Sequence, residues 1–137
     1  MYQFYFLSIL CNFLIAFALV PEILGRWAPA ITECVGRFME KNGFPVGLGI
    51  AGMVVGVFKL LSVTPGDLVL LGDFFPALAG IAGGGTLVFE GRGGVSGRGS
   101  PASGILENLL VKRRDLWGIA ALLSAVLHFF FPSVLFL

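Results

Sequence analysis

Four residues could do chemistry where chemistry is costly. Lys59, Asp73, His128 and Asn12 each fall inside an apolar stretch of this chain. Ionisable groups within a membrane are expensive, and those that persist are ion pairs, proton relays or ion sites. Lys59 and Asp73 flank a turn signal at Pro65-Gly66. If the chain folds back about Gly66, residues whose numbers sum to about 132 lie level. Lys59 then meets Asp73, Gly56 meets Pro76, and Gly52 meets Gly80. Two uses of the pair stay open: a structural ion pair at the mouth of a helix contact, or a transport site. Asp73 also suits a helix cap before Phe74, with Pro76 tolerated in the first turn. Lys59 can reach outward along its aliphatic stem. His128 is the chain's single histidine and lies among phenylalanines. It is either a core histidine bonded to a backbone carbonyl or, beside Lys59 or Asp73, part of a proton relay. Asn12 is an amide able to bond across helices.

Other chemistries find no support. There is no Ser-His-Asp order and no pair of carboxylates at catalytic spacing, so no catalytic residue is expected. Cys11 lies in the first apolar stretch and Cys34 in a loop, and neither has a thiol or histidine at ligand spacing. Neither a metal nor a cofactor is expected. The Gly-rich run at residues 91–104 lacks the Gly-Lys-Ser/Thr ending of a phosphate loop, and its two arginines are too few for nucleic acid.

The elements that must position these residues follow from composition. The chain is 57% hydrophobic and 12% charged, against about 25% charged in soluble domains. Four apolar stretches account for the difference: 3–24, 44–63, 68–89 and 116–137. Each approaches or exceeds the roughly 20 helical residues that span a hydrocarbon core of about 30 Å. No strict alternation of apolar and polar residues points to a membrane barrel. The spacing therefore predicts an all-α membrane protein, residues 1–137 forming one domain with four transmembrane helices. The first stretch lacks a basic start and a cleavage site, and reads as a retained helix kinked at Pro21. Short amphipathic helices are expected at 31–41, stopped by Asn42-Gly43, and at 105–112. Both would lie on the cytoplasmic surface, with residues 91–104 a flexible cytoplasmic linker. Close packing is expected of Gly52 and Gly56 against Ala77, Gly80 and Gly84, because small residues let backbones approach.

Eight of the nine basic residues fall between the first and second or the third and fourth stretches. The positive-inside rule puts both loops in the cytoplasm and both termini outside a cytoplasmic membrane. Trp27 and Trp117 then sit at the inner interface.

The two halves, 1–65 and 66–137, resemble each other. GIAGMVVGVFKL at 49–60 aligns with GIAALLSAVLHF at 118–129, an offset of 69, and CVGRFMEK at 34–41 aligns with ILENLLVK at 105–112. Glu22 and Glu90 each close the first helix of a half. The choice lies between duplication and shared packing needs. Both halves cross in the same sense, so an axis relating them would lie along the membrane normal. The alignment places His128 where Lys59 stands.

GIAGMVVGVFKLL followed by LAGIAGGGTLVFEG resembles DoxX-like membrane proteins, through Gly56-Val-Phe-Lys59-Leu60 and Glu90-Gly91. The resemblance covers residues 47–91 and implies a small four-helix bundle near the quinone pool. Some relatives are linked to quinone-coupled thiosulfate oxidation, a chemistry that the cysteines here do not support.

Three functions follow. The first is a non-enzymatic packing or accessory module of the membrane, bound to itself or to a larger complex. The second is a small transporter or channel using Lys59, Asp73 and His128. The third is the DoxX-like subunit. Outward Gly-x-x-x-Gly faces favour the first, an open polar crevice the second, and a bound quinone after gentle purification the third. The lipid bilayer is the one partner the sequence requires. Topology is tested with Ser100→Cys in intact cells: an impermeant thiol reagent added outside should leave it unlabelled, and labelling there overturns the assignment.

Overall fold

The computed structural model describes residues 2–61, 74–93 and 101–130. These form helices α1 (Tyr2–Leu19), α2 (Pro21–Trp27), α3 (Pro29–Met39), α4 (Phe44–Leu61), α5 (Phe74–Gly91), α6 (Pro101–Leu106) and α7 (Arg114–Phe130). A single π-helical turn, Glu107–Val111, follows α6. Among the described residues the protein is all-α. By length and composition α4 and α5 can each cross a membrane, and α1 with α2 makes a third span if the bent pair is one. The expected Pro65-Gly66 turn and Asp73 lie outside the described residues.

Prolines set the boundaries between the first three helices. Pro21 has no N–H to donate and excludes the preceding residue from the helical region. Val20 accordingly stands at φ −125°, ψ 55°, and α2 leaves α1 at 105°. The first helix thus ends at Leu19, five residues short of the expected Leu24. Ala28, before Pro29, repeats the pattern at φ −139°, ψ 68°. Both prolines then open their helices, where a missing N–H costs nothing. α3 turns Val35 into the core and exposes Arg37, paired at 2.5 Å with Glu33 one turn earlier. Gly43, at φ +83°, makes the left-handed step into α4.

α4 and α5 form the most extensive helix contact, and α1 with α7 the next. Glycine sets the first of these. A Cβ on Gly49 would lie 2.5 Å from the Gly84 carbonyl oxygen, on Gly52 3.3 Å from that of Gly80, and on Gly56 2.7 Å from that of Ala77. The helices are antiparallel, with contacts at residue sums of 132 and 133, close to the register expected from the sequence. Ile15 of α1 fills the notch behind them: its methyl groups occupy the space that side chains on Gly52 and Gly83 would need. Gly118 of α7 meets Leu19 of α1 and Val20 at the bend in the same manner.

The last connection differs from expectation. The linker expected through residue 104 is helical from Pro101, and Glu107–Val111 widens into a π turn closed by Lys112 N–H donating to the Glu107 carbonyl at 3.1 Å. Residues 94–100 lie outside the described residues. The π turn aims the Leu109 carbonyl at the Trp117 indole N–H, 2.9 Å away. That bond holds the short connection against α7.

Gly84→Ala should lower stability by about 1–3 kcal/mol, because the new methyl meets the Gly49 backbone and neither helix can yield cheaply. Gly47→Ala on the open face of α4 should leave stability unchanged or raise it by about 0.5–1 kcal/mol through helix propensity. Thermal unfolding in detergent checks both; equal melting of the two variants overturns the contact.

Candidate functional site: a buried lysine–histidine pair

Lys59 stands near the end of α4 and His128 near the end of α7, on faces turned toward α1. Lys59 Nζ lies 2.5 Å from His128 Nε2. Only 5% of Lys59 and 2% of His128 is exposed. Tyr5 of α1 completes the cluster. Its hydroxyl donates to the His128 backbone carbonyl, its ring centroid is 4.3 Å from the imidazole, and Lys59 Nζ lies 5.4 Å from the ring centre. Tyr5, Lys59 and His128 also take part in interactions beyond these.

The geometry restricts the charge. Two positive charges 2.5 Å apart would repel by about 7 kcal/mol even at an effective dielectric of 20. One of the two nitrogens must therefore act as acceptor. An ammonium donating to the Nε2 lone pair of a neutral imidazole satisfies this, with the imidazole proton on Nδ1.

The remaining sequence candidates have other places. Asn12 is 2% exposed and donates through Nδ2 to the Pro76 carbonyl of α5 at 3.1 Å. Its Oδ1 lies 3.4 Å from the position a Gly80 Cβ would take, so Gly80 makes room for the amide. Asn12 is thus level with Gly52–Gly80, two helical turns from Lys59, and does not join the pair directly. The Lys59–Asp73 pair cannot be placed, because Asp73 lies outside the described residues. Gly52, Gly56, Ala77, Gly80 and Gly84 all lie on the α4–α5 contact. Among the described residues no group of three His, Cys, Asp or Glu could hold a metal ion. Cys11 is buried and Cys34 exposed, both as free thiols.

Four participants, Tyr5, Ser8, Gly49 and Arg114, were not among the site residues expected from sequence. Tyr5 and Ser8 share a face with Asn12 at spacings of three and four, a polar stripe that was readable. Gly49 continues the Gly52/Gly56 spacing by one more turn. Arg114 carried no local signal beyond its charge. Its guanidinium donates through Nε to the Leu19 carbonyl at 3.1 Å and through Nη2 to that of Ala18 at 3.4 Å, and Nη1 lies 3.5 Å from Glu90 Oε1. The bend at Val20 leaves the last carbonyls of α1 without helical donors, and Arg114 supplies them.

A protein-family model matches residues 1–128, and the chain belongs to that family. A relative in Treponema pallidum (strain Nichols), described as an uncharacterized protein, is 30% identical over 138 residues, covering 100% of both chains. No solved structure matches the chain significantly.

If Lys59 and His128 are coupled, Lys59→Met and His128→Leu should each destabilise the protein, and the double variant should lose less than their sum. An interaction energy of about 0.5–3 kcal/mol is expected from a denaturation double-mutant cycle. Strictly additive losses refute the contact.

Proposed function

We propose that this is a small multi-pass protein of the cytoplasmic membrane with four crossings and both termini outside, acting as a transporter or channel for protons or small ions. Its working group is the Lys59–His128 pair. One observation carries this reading: a lysine and a histidine from different helices, both buried, in direct contact at 2.5 Å. α4 and α7 are each packed on α1 and α5, so holding them in place needs no such pair and no desolvated charge. An ionisable residue held inside a membrane bundle is a functional candidate for that reason.

The glycine faces argue in the same direction. An accessory module would turn them outward, toward a partner. Here Gly49, Gly52 and Gly56 meet Gly84, Gly80 and Ala77 of the same chain. They serve the fold, and the buried polar cluster is left as the distinctive feature.

We also read the chain as two similar halves. Gly49 of α4 packs on Val88 of α5, and Gly118 of α7 packs on Val20 at the end of α1. Those pairs differ by 69 and 68 residues, close to the repeat offset. Lys59 and His128 occupy equivalent positions, and equivalent side chains of a two-fold arrangement meet only near its axis. By the same count Tyr5 corresponds to Asp73, the carboxylate that the sequence sets level with Lys59.

The test is proton flux into proteoliposomes holding a pH-sensitive dye, driven by an imposed membrane potential. Wild-type protein should conduct above protein-free vesicles, and Lys59→Met and His128→Gln should lower the flux about tenfold or more, the change made by ~1.4 kcal/mol in a barrier. Flux equal to wild type in both variants rejects this function.

A further inference from the structure

The polar cluster does not stop at Lys59 and His128. Tyr5, Ser8 and Asn12 share one face of α1, and Ser124 and His128 share one face of α7. The Tyr5 hydroxyl bond to the His128 carbonyl sets these faces against each other. Ser8, Asn12 and Ser124 are all buried. Two of their atoms, Asn12 Oδ1 and Ser124 Oγ, have no hydrogen-bond partner among the described residues. A buried acceptor left unmade costs about 1–3 kcal/mol, so two such atoms on one polar face call for an explanation. From Tyr5 to Asn12 the stripe covers seven residues, about 10 Å of helix.

The stripe ends abruptly. Three residues beyond Asn12, on the same face, stands Ile15, fully buried. Its methyl groups are pressed into the space left by the absent side chains of Gly52 and Gly83. Ala16 and Leu19 continue the apolar packing.

We infer that the α1–α7 face is a water-holding half-channel running from Tyr5 to Asn12, and that Ile15 is the apolar gate that closes it. This rests on the proton-conducting reading of Lys59–His128. Water in the stripe takes hydrogen bonds from and to Ser124 Oγ and donates to Asn12 Oδ1, as buried waters do with two to four polar partners. A proton passes between such waters and the Lys59–His128 pair by exchange along hydrogen bonds, with no change of oxidation state. Beyond Asn12 no side chain on this face offers a lone pair. An apolar constriction limits conduction there by excluding water. The Gly52 and Gly83 notch allows Ile15 to lie flush in the packed state.

The same proteoliposome assay separates the two ideas. Ser124→Ala and Asn12→Leu remove the orphaned atoms and keep the approximate volume. They should lower proton flux about tenfold, a barrier change that ~1.4 kcal/mol makes. The melting temperature of Ser124→Ala should be unchanged or raised, because an unsatisfied polar atom has gone; Asn12→Leu also gives up the bond to the Pro76 carbonyl and should melt no higher than wild type. Ile15→Ala should raise flux by a similar factor, and Ile15→Val, which leaves the smallest cavity, should raise it less while folding normally. If Ser124→Ala, Asn12→Leu and both Ile15 variants conduct as wild type while His128→Gln does not, the half-channel is wrong and the function of the pair stands. If His128→Gln also conducts as wild type, or if neither wild type nor Ile15→Ala conducts above protein-free vesicles, both are wrong.

Discussion

The backbone approach of α4 to α5 is the constraint on which the rest of the structure depends. Gly49, Gly52 and Gly56 on one helix and Gly80 and Gly84 on the other leave no room for side chains between them. In an apolar solvent, burying apolar surface gives little drive, so helix association must come from close van der Waals packing. The glycines supply it and fix the register. That register sets the notch into which Ile15 inserts, and so the position of α1. With α1 placed, Asn12 reaches the Pro76 carbonyl and Tyr5 reaches His128. A single methyl at Gly84 would disturb a chain of contacts ending at Lys59.

A second requirement is that no backbone group be left bare where the helices break. The proline at position 21 turns the chain through 105° and strips the end of α1 of its donors. The arginine at the start of α7 replaces them, and its third contact is a glutamate at the end of α5. One guanidinium thus ties three helices together at the end of the bundle opposite Lys59. Its planar fork suits this task as an ammonium would not. The bend and the clamp belong together: a continuous helix through residue 24 would have needed no Arg114.

The polar stripe along α1 and α7 is the opposite kind of feature. Packing alone would favour apolar residues there, yet the bundle keeps a lysine, a histidine, two serines and an asparagine out of water. Such groups conflict locally with a membrane fold, and conflicts of that sort concentrate at functional sites. Around them the core is ordinary, with Ile15, Phe17, Leu19 and Leu87 closely packed.

Much of the architecture was readable from the chain itself. The length of the apolar run defined α4 to within two residues, Asn42-Gly43 marked the stop of α3, and the spacing of small residues placed Gly52 level with Gly80. These are local properties: hydropathy, helical period and the φ values open to glycine and proline. The sequence also ranked Lys59 and His128 as unusual, since a charged or titratable residue in an apolar run is visible without a fold. It could not say that they touch. Their contact joins residues 69 apart through the relative rotation of α4 and α7, which α1 decides by packing against both. The same holds for Arg114, whose partners are the Ala18 and Leu19 carbonyls, left without helical donors by a bend elsewhere. Periodicity determines which face of a helix is special. Only tertiary packing determines what that face meets, because the meeting depends on distances that no single segment encodes.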